Sequence, residues 1–460
     1  MVEGAGNGGG MGHGGMTGMT RRRWLARGLA ALGAVPVAAC GPGGGPAGGS
    51  GGAQGEAQGT VVFMSQSATP ADEERYRPLV EQFNNRKGKV TIDFIQNAEG
   101  GGAVQAQAKV IALAAAGSAP DVFWTHAYVS PNLTKLGLLA DIAPYIKKDR
   151  EFRANDLFEA PLKDYEVAGK QYGLPREATT MLVVYNKELF QKNGVAFPKD
   201  DWSWDDFLKT AQQLSKGSGG QQTWGAAGFV SHLSNGSNAS YPKVWQEGGD
   251  VVDRTRAKFT LHQSPAVDQM QWIAELVTKQ RVHPFGDEFP GTNAREVWNS
   301  SRIGMVVSIS VWTNYLQSQF EWDVAHLPRG KTRSTRTASA GHSMTAQSKN
   351  KDAAWEWLKF IGSKPAYEHW AKTGLTIPTH KEVASSNLFL NPDLPPKNAK
   401  IALDAFSYAR SEPIAGDWGN VGAEVQKAMT EAYAGRADAK GALTSIVQII
   451  EGLLAKVPGQ

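Results

Sequence analysis

Tryptophan side chains stand at the ends of several predicted elements, beside small or polar residues that suit a binding site. Trp124 follows a short apolar strand and precedes His126, while Trp312 and Trp418 also stand at element ends. A single tryptophan is more often a core residue than a ligand platform. Ligands of α/β proteins, however, tend to bind beyond the carboxyl ends of strands. With fourteen tryptophans in 460 residues, we expect some of these rings to line a site.

A possible nucleophile lies at residues 341–345, which read Gly-His-Ser-Met-Thr. This nearly fits the Gly-x-Ser-x-Gly elbow of hydrolases, but Thr345 replaces the last glycine, whose small size lets the helix approach the strand. The segment that follows is typical of a turn and not of the helix that the elbow requires. We therefore interpret 341–345 as a strand, and a hydrolase using Ser343, with His380 as base, stays an alternative.

Composition and motifs argue against several other classes of function. The formal charge of +4 includes +3 within the first forty residues, so the remaining chain is almost neutral and favours neither nucleic acid nor another highly charged partner. No histidine or cysteine stands at metal-ligand spacing from His126. No Gly-x-x-x-x-Gly-Lys-Ser/Thr run is present, so nucleotide binding is not expected. We predict no metal and no cofactor.

The N-terminus has the features of an export signal. Residues 20–26, Thr-Arg-Arg-Arg-Trp-Leu-Ala, resemble the twin-arginine motif, with Trp24 and Ala26 departing from it. An apolar run too short for a stable membrane span follows and ends in Val-Ala-Ala-Cys at Cys40, which resembles a bacterial lipobox. We predict a lipoprotein signal peptide over 1–40, lipidation at Cys40 and a flexible Gly/Ala/Pro linker over 41–59.

The body of the chain is predicted to be α/β. Strands are expected at 60–64, 90–94 and 121–124, with a helix starting at Thr69-Pro70 and an alanine-rich helix at 103–116. This alternation predicts a mainly parallel sheet. Pro78 is expected to kink or shorten the first helix.

A second α/β region is predicted from 181 onwards. It contains strands at 181–185 and 302–307 and a helix that opens with a near capping box at residues 203–206. A helix at 352–361 has Trp355 on its inward face, and further helical segments are expected over 423–455.

Four segments together resemble the family 1 extracellular solute-binding proteins, which include maltose-binding protein. They are residues 119–124 (Ala-Pro-Asp-Val-Phe-Trp), residues 169–177 with 185–190, residues 202–207 (Trp-Ser-Trp-Asp-Asp-Phe) and residues 352–360. Each motif is weak by itself, but their order and spacing extend over nearly the whole body of the chain.

The resemblance implies a two-lobed periplasmic-binding-protein type II fold, in which a ligand cleft lies between lobes joined by a hinge. Matching the segments places the first lobe at 60–177 and 322–365 and the second at 178–321 and 366–460. The hinge is then expected near residues 175–178. Closure of the lobes is one of the standard hinge motions.

The resemblance also implies the site. Trp124, Trp312 and Trp418 match aromatic positions of the family, with His126 nearby, and Tyr241 and Trp245 match an aromatic pair on the second lobe. Glu177 matches the family's hinge acid, although it can equally pair with Arg176. Four further residues are expected at the cleft, namely Ser65, Gln66, Gly341 and His342.

A carbohydrate fits this set, because its C–H faces pack on aromatic rings and its hydroxyls bond to carboxylates and amides. The implied function is a monomeric, lipid-anchored component of an ABC transporter, which delivers a sugar or oligosaccharide to a membrane permease and catalyses no reaction. A non-sugar solute, such as a glycerol phosphodiester or a peptide, stays an alternative, since Arg176, His126 and His342 could meet an anion.

Overall fold

The computed structural model describes residues 57–67, 69–97, 103–229, 239–289, 291, 294–311, 315–373 and 376–456. The predicted signal peptide, Cys40, most of the predicted linker and Trp312 lie outside these residues.

The β-strands of the described chain lie, in order, at β1 Gly59–Met64, β2 Val90–Ile95, β3 Val122–His126, β4 Glu166–Val167, β5 Lys170–Gln171, β6 Leu174–Asn186, β7 Trp224–Ala227, β8 Ile303–Ile309, β9 Trp322–Ala325, β10 Thr335–Met344, β11 Ile377–Pro378 and β12 Ala409–Arg410.

The α-helices lie at α1 Pro70–Asn84, α2 Ala103–Ala115, α3 Ser130–Lys135, α4 Ala143–Lys148, α5 Glu159–Lys163, α6 Lys187–Lys192, α7 Trp204–Leu214, α8 Tyr241–Gln246, α9 Ala266–Thr278, α10 Ala294–Asn299, α11 Lys351–Ile361, α12 Lys364–Lys372, α13 Lys381–Ala384, α14 Lys400–Asp404, α15 Trp418–Tyr433, α16 Ala439–Thr444 and α17 Val447–Ala455.

The predicted helix starts are confirmed by their hydrogen bonds. The Thr69 hydroxyl accepts from the Asp72 backbone N–H at 3.2 Å, ahead of Pro70 in the first turn of α1. Ser203 and Asp206 form a capping box at the start of α7, each side chain accepting from the other's backbone. Pro78 does not shorten α1, which continues to Asn84.

The main sheet is mixed, and this corrects the prediction of a mainly parallel one. Its order is β2-β1-β3-β10-β6-β8-β7, with β9 and β11 also paired to β6 and β12 paired to β10. The β1–β2, β1–β3 and β7–β8 pairs are parallel, but every pair that β6 forms is antiparallel. The predicted βαβ units are therefore present at the two ends, while the strands between them run in opposite directions.

Two lobes form because the two ends of this sheet are covered by different cores. In the first lobe, Val61 and Phe63 of β1 face a core that includes Trp357, while Met64 faces the opposite side. In the second lobe, Met181 and Val183 of β6 face one core and Leu182 and Val184 face another. Each lobe is thus a sheet with packed layers on both faces, the arrangement of an α/β domain.

Strands β6 and β10 cross from one lobe to the other. Residue 174 of β6 pairs with His342, beside β3 of the first lobe, and Tyr185 pairs with Met305 of β8 in the second. Residues 322–325 pair with β6 in the second lobe, and Tyr367 and Trp370 of α12 pack in the first. The lobe boundaries at 322 and 365 stay predictions, while the pairings show that β6 and β10 each extend between the two ends of the sheet.

Candidate functional site

Polar side chains from both lobes meet where β10 crosses between them. We call this group the cleft cluster and define it as Asp164, Arg336, Ser339, Ser411 and Glu412. Arg336 and Ser339 lie on β10, Asp164 follows α5 of the first lobe, and Ser411 and Glu412 follow β12. The register of β10, with Ala340 opposite His126, brings them to the inner end of β3.

The Asp164 carboxylate links the two lobes. It accepts a hydrogen bond of 2.7 Å from the Ser339 hydroxyl and another from the Ser411 hydroxyl on the second-lobe side. Burial raises the pKa of Asp164 to about 6, although both hydroxyls and the Arg336 charge oppose the rise. Its carboxyl group therefore changes charge close to neutral pH.

A buried ion pair lies beside this carboxylate. Arg336 donates through Nε to Glu412 Oε1, and both side chains are about nine-tenths buried. The other oxygen, Glu412 Oε2, accepts from the indole nitrogen of Trp418 at 2.8 Å. Trp418, one of the predicted aromatic residues, thus holds the carboxylate from the start of α15.

His126 is neutral in this environment. Burial and the Arg336 charge lower its pKa to about 3, with Glu177 acting weakly in the opposite direction. Its Nδ1 accepts from the Tyr128 backbone N–H at 3.3 Å, which leaves the ring proton on Nε2 as a hydrogen-bond donor. The Tyr128 ring lies 4.4 Å from the His126 ring, centroid to centroid.

Two predicted aromatic residues carry buried polar atoms without a partner among the described residues. They are the Trp124 indole nitrogen, in a side chain 4% exposed, and the Tyr241 hydroxyl, in one 1% exposed. Burial and the nearby Glu412 charge raise the pKa of Tyr241, so its hydroxyl stays protonated. Such orphan groups are uncommon and often mark functional positions.

The predicted hinge acid, Glu177, lies in a second polar group that we call the hinge network: Tyr76, Arg176, Glu177, His342 and Thr376. Arg176, 2% exposed, donates to the Tyr76 hydroxyl and to Glu177, and Thr376 donates to Glu177 Oε2 at 3.0 Å. Burial disfavours the charge on Glu177, yet Arg176 outweighs it and the pKa is lowered.

His342 lies on the lobe-1 side of the hinge network. Its Nε2 is 3.0 Å from the Tyr76 hydroxyl, its ring stacks on Trp370, and its side chain is 2% exposed. Burial and Arg176 lower its pKa. Arg176, His126 and His342 therefore do not meet as an anion site, because the first and third bond within the hinge network and His126 faces the cleft cluster.

The other predicted residues have local roles in the described structure. Ser65 is buried and donates to the Ser67 carbonyl at 2.9 Å, and Gln66 is half-buried at the end of β1. A Cβ on Gly341 would lie 2.0 Å from the Leu174 carbonyl oxygen, so this glycine permits the close approach of β10 and β6.

Trp245 contacts Tyr241 and is 3% exposed. Its indole nitrogen donates to Asp250 Oδ1 at 2.9 Å, and the Arg410 guanidinium covers the ring at 4.8 Å from its centroid. Trp312 and Cys40 lie outside the described residues, so their predicted roles stay predictions.

Residues 341–345 do not form the hydrolase elbow. Ser343 lies within β10, opposite Phe123 of β3, and is fully buried. A nucleophile elbow needs a sharp strand-to-helix turn at the serine, whereas β10 continues to Met344 and is followed by a turn.

No pattern in the sequence identifies Asp164, Arg336 or Glu412 as site residues. None stands in a motif or beside a run of similar residues. Only the crossing of β10 and its pairing with β12, with Arg336 opposite Arg410, brings them together.

The described part of the chain has no grouping of metal ligands and no membrane-spanning helix. Within those residues, no three or more histidine, cysteine or acidic side chains are grouped so that they could hold a metal ion. None of the helices assigned there is long and apolar enough to cross a membrane.

Residues 67–368 match the family described as bacterial extracellular solute-binding protein. A Brucella abortus protein named as a binding protein is 22% identical over 334 residues, covering 71% of this chain and 77% of that protein. The arabinooligosaccharide-binding protein of Bacillus subtilis is 26% identical over 237 residues, covering 48% of this chain and 50% of the relative.

Among solved structures, an ABC substrate-binding protein of Listeria monocytogenes in complex with cycloalternan superposes with a TM-score of 0.72. It is 21% identical, and the match covers 87% of this chain and all of that one. The cyclic α-maltosyl-1,6-maltose binding protein of Arthrobacter globiformis gives a TM-score of 0.73 at 18% identity, covering 86% and 99%. These likenesses confirm the predicted two-lobed fold.

Proposed function

Because the chain belongs to the bacterial extracellular solute-binding protein family, we propose that it is the lipid-anchored receptor of an ABC importer and binds a carbohydrate between its lobes. The family is extracellular, which agrees with the export signal predicted at the N-terminus.

The observation that carries the proposal is that polar groups from separate parts of the chain lie around Arg336, which pairs with Glu412 and whose charge acts on the pKa of Asp164, His126 and Tyr241. Asp164 and His126 come from the first lobe, and Glu412 and the Tyr241 hydroxyl from the second. Sugar hydroxyls both donate and accept hydrogen bonds, so carboxylate oxygens and neutral donors can both bond to them. The Trp124 ring can pack against a C–H face of the sugar.

Relatives support the class of ligand. The Bacillus subtilis relative is named for arabinooligosaccharides, and the Listeria monocytogenes structure holds cycloalternan. Both ligands are chains or rings of several sugar units, so we infer an oligosaccharide for this protein.

Binding is proposed to act through lobe closure. A sugar that bonds to Asp164 on one lobe and Glu412 on the other interacts more strongly when the lobes are close. It therefore shifts the population towards the closed form. That form would dock on a membrane permease, and no bond-making step is assigned to this chain.

The anchor is proposed to be a lipid on Cys40, with residues 41–59 as the tether. Acyl chains stabilise membrane attachment by about 0.8 kcal/mol per buried CH₂ group. A Cys40→Ser variant should lose the lipid, which mass spectrometry of the membrane fraction and labelling with a radioactive fatty acid would detect.

The test of binding is a thermal-shift and calorimetry screen of the Cys40→Ser chain against neutral oligosaccharides, glycerol phosphates and short peptides. A ligand at 100 times its Kd adds about 2.7 kcal/mol to the free energy of unfolding and raises Tm by a few degrees. A saccharide must give this shift, whereas binding only to phosphates or peptides would refute the carbohydrate assignment.

A matched histidine pair locates the site. His126→Gln should weaken saccharide binding at least tenfold, because the Nε2 donor is displaced from the cleft. His369→Gln, on α12 and bonded to the Arg75 carbonyl, should leave affinity unchanged. Equal effects of both variants would place the ligand elsewhere.

A further inference from the structure

A cavity lies next to the cleft cluster. Its volume is about 610 Å³, and we call it the arginine pocket. Its lining includes Trp245, Asp250, Arg254, Arg256, Thr260 and Arg410.

One segment of chain separates this pocket from the cleft. Arg410 and Pro413 line the arginine pocket, whereas Ser411 and Glu412, between them, bond to Asp164 and Arg336. Neighbouring residues of one segment therefore line the arginine pocket and bond within the cleft cluster. The pocket is therefore close enough to the cleft cluster for one oligosaccharide to contact both.

The acidic side chains of the pocket already have their hydrogen bonds. Asp253 Oδ1 accepts from the Ala257 and Lys258 backbone N–H groups at 2.9 and 3.0 Å, and its Oδ2 accepts from Thr255 at 2.6 Å. Asp250 accepts from Trp245 through Oδ1 and from Arg410 through Oδ2, at 2.9 and 2.8 Å.

The arginine side chains of the pocket still have N–H groups that could donate hydrogen bonds to a ligand. Within the described residues, the Arg256 guanidinium gives one hydrogen bond, from Nη1 to the Ile414 carbonyl at 3.1 Å, out of its five N–H groups. Arg254 is exposed and makes no hydrogen bond or ion pair with the described part of the chain. Three arginines face two aspartates, so the pocket carries a net positive charge and planar donors that fit a carboxylate in bidentate geometry.

We propose that the arginine pocket binds an acidic sugar unit, a uronate, at the end of the oligosaccharide that occupies the cleft. The assignment rests on the proposed function. The guanidinium groups would take the carboxylate, while Thr260 and Gln263, which also line the pocket, offer polar groups to the ring hydroxyls. The cleft and the arginine pocket together would then bind a partly acidic oligosaccharide.

The experiment compares neutral and acidic probes by calorimetry with the Cys40→Ser chain. The probes are maltotetraose and arabinofuranotetraose, each also with the primary alcohol of its non-reducing terminal unit oxidised to a carboxylate, and glucuronate and inorganic sulfate alone. The acidic form of the sugar that binds is expected to bind at least tenfold more tightly than the neutral form. The preference should shrink at high salt, because the charges lie near the surface.

Three variants locate the effect. Arg254→Gln, which breaks no bond of the described structure, and Arg256→Gln should each reduce the preference for the acidic form and leave the neutral affinity unchanged. Arg150→Gln, an exposed arginine of the first lobe, should keep the full preference.

The outcomes separate the two proposals. Neutral sugars that bind without any preference for their acidic forms would overturn the arginine pocket assignment and leave the receptor function standing. Binding of no sugar in either form would overturn the function and this assignment with it. Glucuronate or sulfate alone binding as tightly as the acidic tetraose would assign the pocket to a free anion and refute the acidic sugar.

Discussion

The indole nitrogen of Trp418 lies 2.8 Å from Glu412 Oε2 and donates a hydrogen bond to it. The same carboxylate pairs through Oε1 with Arg336 on the crossing strand β10. The start of α15 and the strand that joins the lobes are therefore held to one buried carboxylate, at the edge of the cleft.

Glu412→Leu is expected to destabilise the protein by about 3 kcal/mol or more, because it leaves the buried Arg336 charge without this partner. The double variant Arg336→Met/Glu412→Leu should cost less than the sum of the two single changes. Denaturant unfolding of the four proteins measures both quantities.

An exposed ion pair serves as the control for this comparison of single and double variants. Lys187 and Glu321 are bonded at 2.8 Å on the surface, and Glu321→Gln should leave Tm nearly unchanged. Strict additivity of the two buried changes would show that the ion pair does not couple α15 to β10.

Asp164 should make stability depend on pH. Its pKa of about 6 in the folded protein exceeds the value of about 4 for a solvated aspartate. The folded state therefore binds the proton more tightly, so the contribution to stability is full below pH 4 and is lost as pH rises through 6.

The Asp164→Asn variant removes this dependence. Relative to the wild type, its free energy of unfolding should rise between pH 4.5 and 7.5, by on the order of 1–2 kcal/mol after allowance for partial exposure. Asp206, whose pKa is lowered by the Ser203 backbone and hydroxyl groups, gives the contrast: the difference between Asp206→Asn and wild type should stay constant over that range. A constant difference for Asp164→Asn would contradict the prediction.

In the hinge network, loss of the ion pair should lower the free energy of unfolding more than loss of a neutral hydrogen bond. Arg176→Met should destabilise the protein by about 3 kcal/mol and raise the pKa of Glu177, because a buried charge loses its partner. Thr376→Val removes one 3.0 Å bond and should cost about 1 kcal/mol. Similar losses in both variants, measured by denaturant unfolding, would show that the ion pair has no special weight at the hinge.

Gly341→Ala should be severely destabilising, by about 3 kcal/mol or more, because the new methyl group would lie 2.0 Å from the Leu174 carbonyl oxygen and 2.8 Å from Pro175 Cα. Both obstacles are backbone, so the strands must separate. Gly419→Ala is the matched control: nothing lies within 4 Å of its added Cβ, and its place in α15 favours alanine. The prediction fails if Gly341→Ala melts within a degree or two of wild type.

The sequence predicted well those elements that local chemistry decides. The strands at Val61 and Ile92, the cap at Thr69 and the capping box at Ser203 are confirmed because each depends on a few neighbouring residues. Sheet direction depends instead on how distant strands pair. The antiparallel crossing of β6 and β10 therefore escaped prediction.

The same distinction between local and long-range pattern applies to the site residues. Trp124 and His126 could be singled out because they follow a recognisable strand. Asp164, Arg336 and Glu412 lie far apart in sequence and meet only through the crossing of β10, so no local pattern identifies them.

The interleaving of the chain between the lobes also determines when either lobe can be completed. The first core packs Val61 against Trp357 and Trp370, and the second packs Met181 with Val421 and Leu454. Neither hydrophobic interior can close until nearly the whole polypeptide has been synthesised. Folding must therefore wait for contacts between residues about three hundred positions apart, which makes it slow and leaves a long interval in which the unfolded nascent chain needs protection.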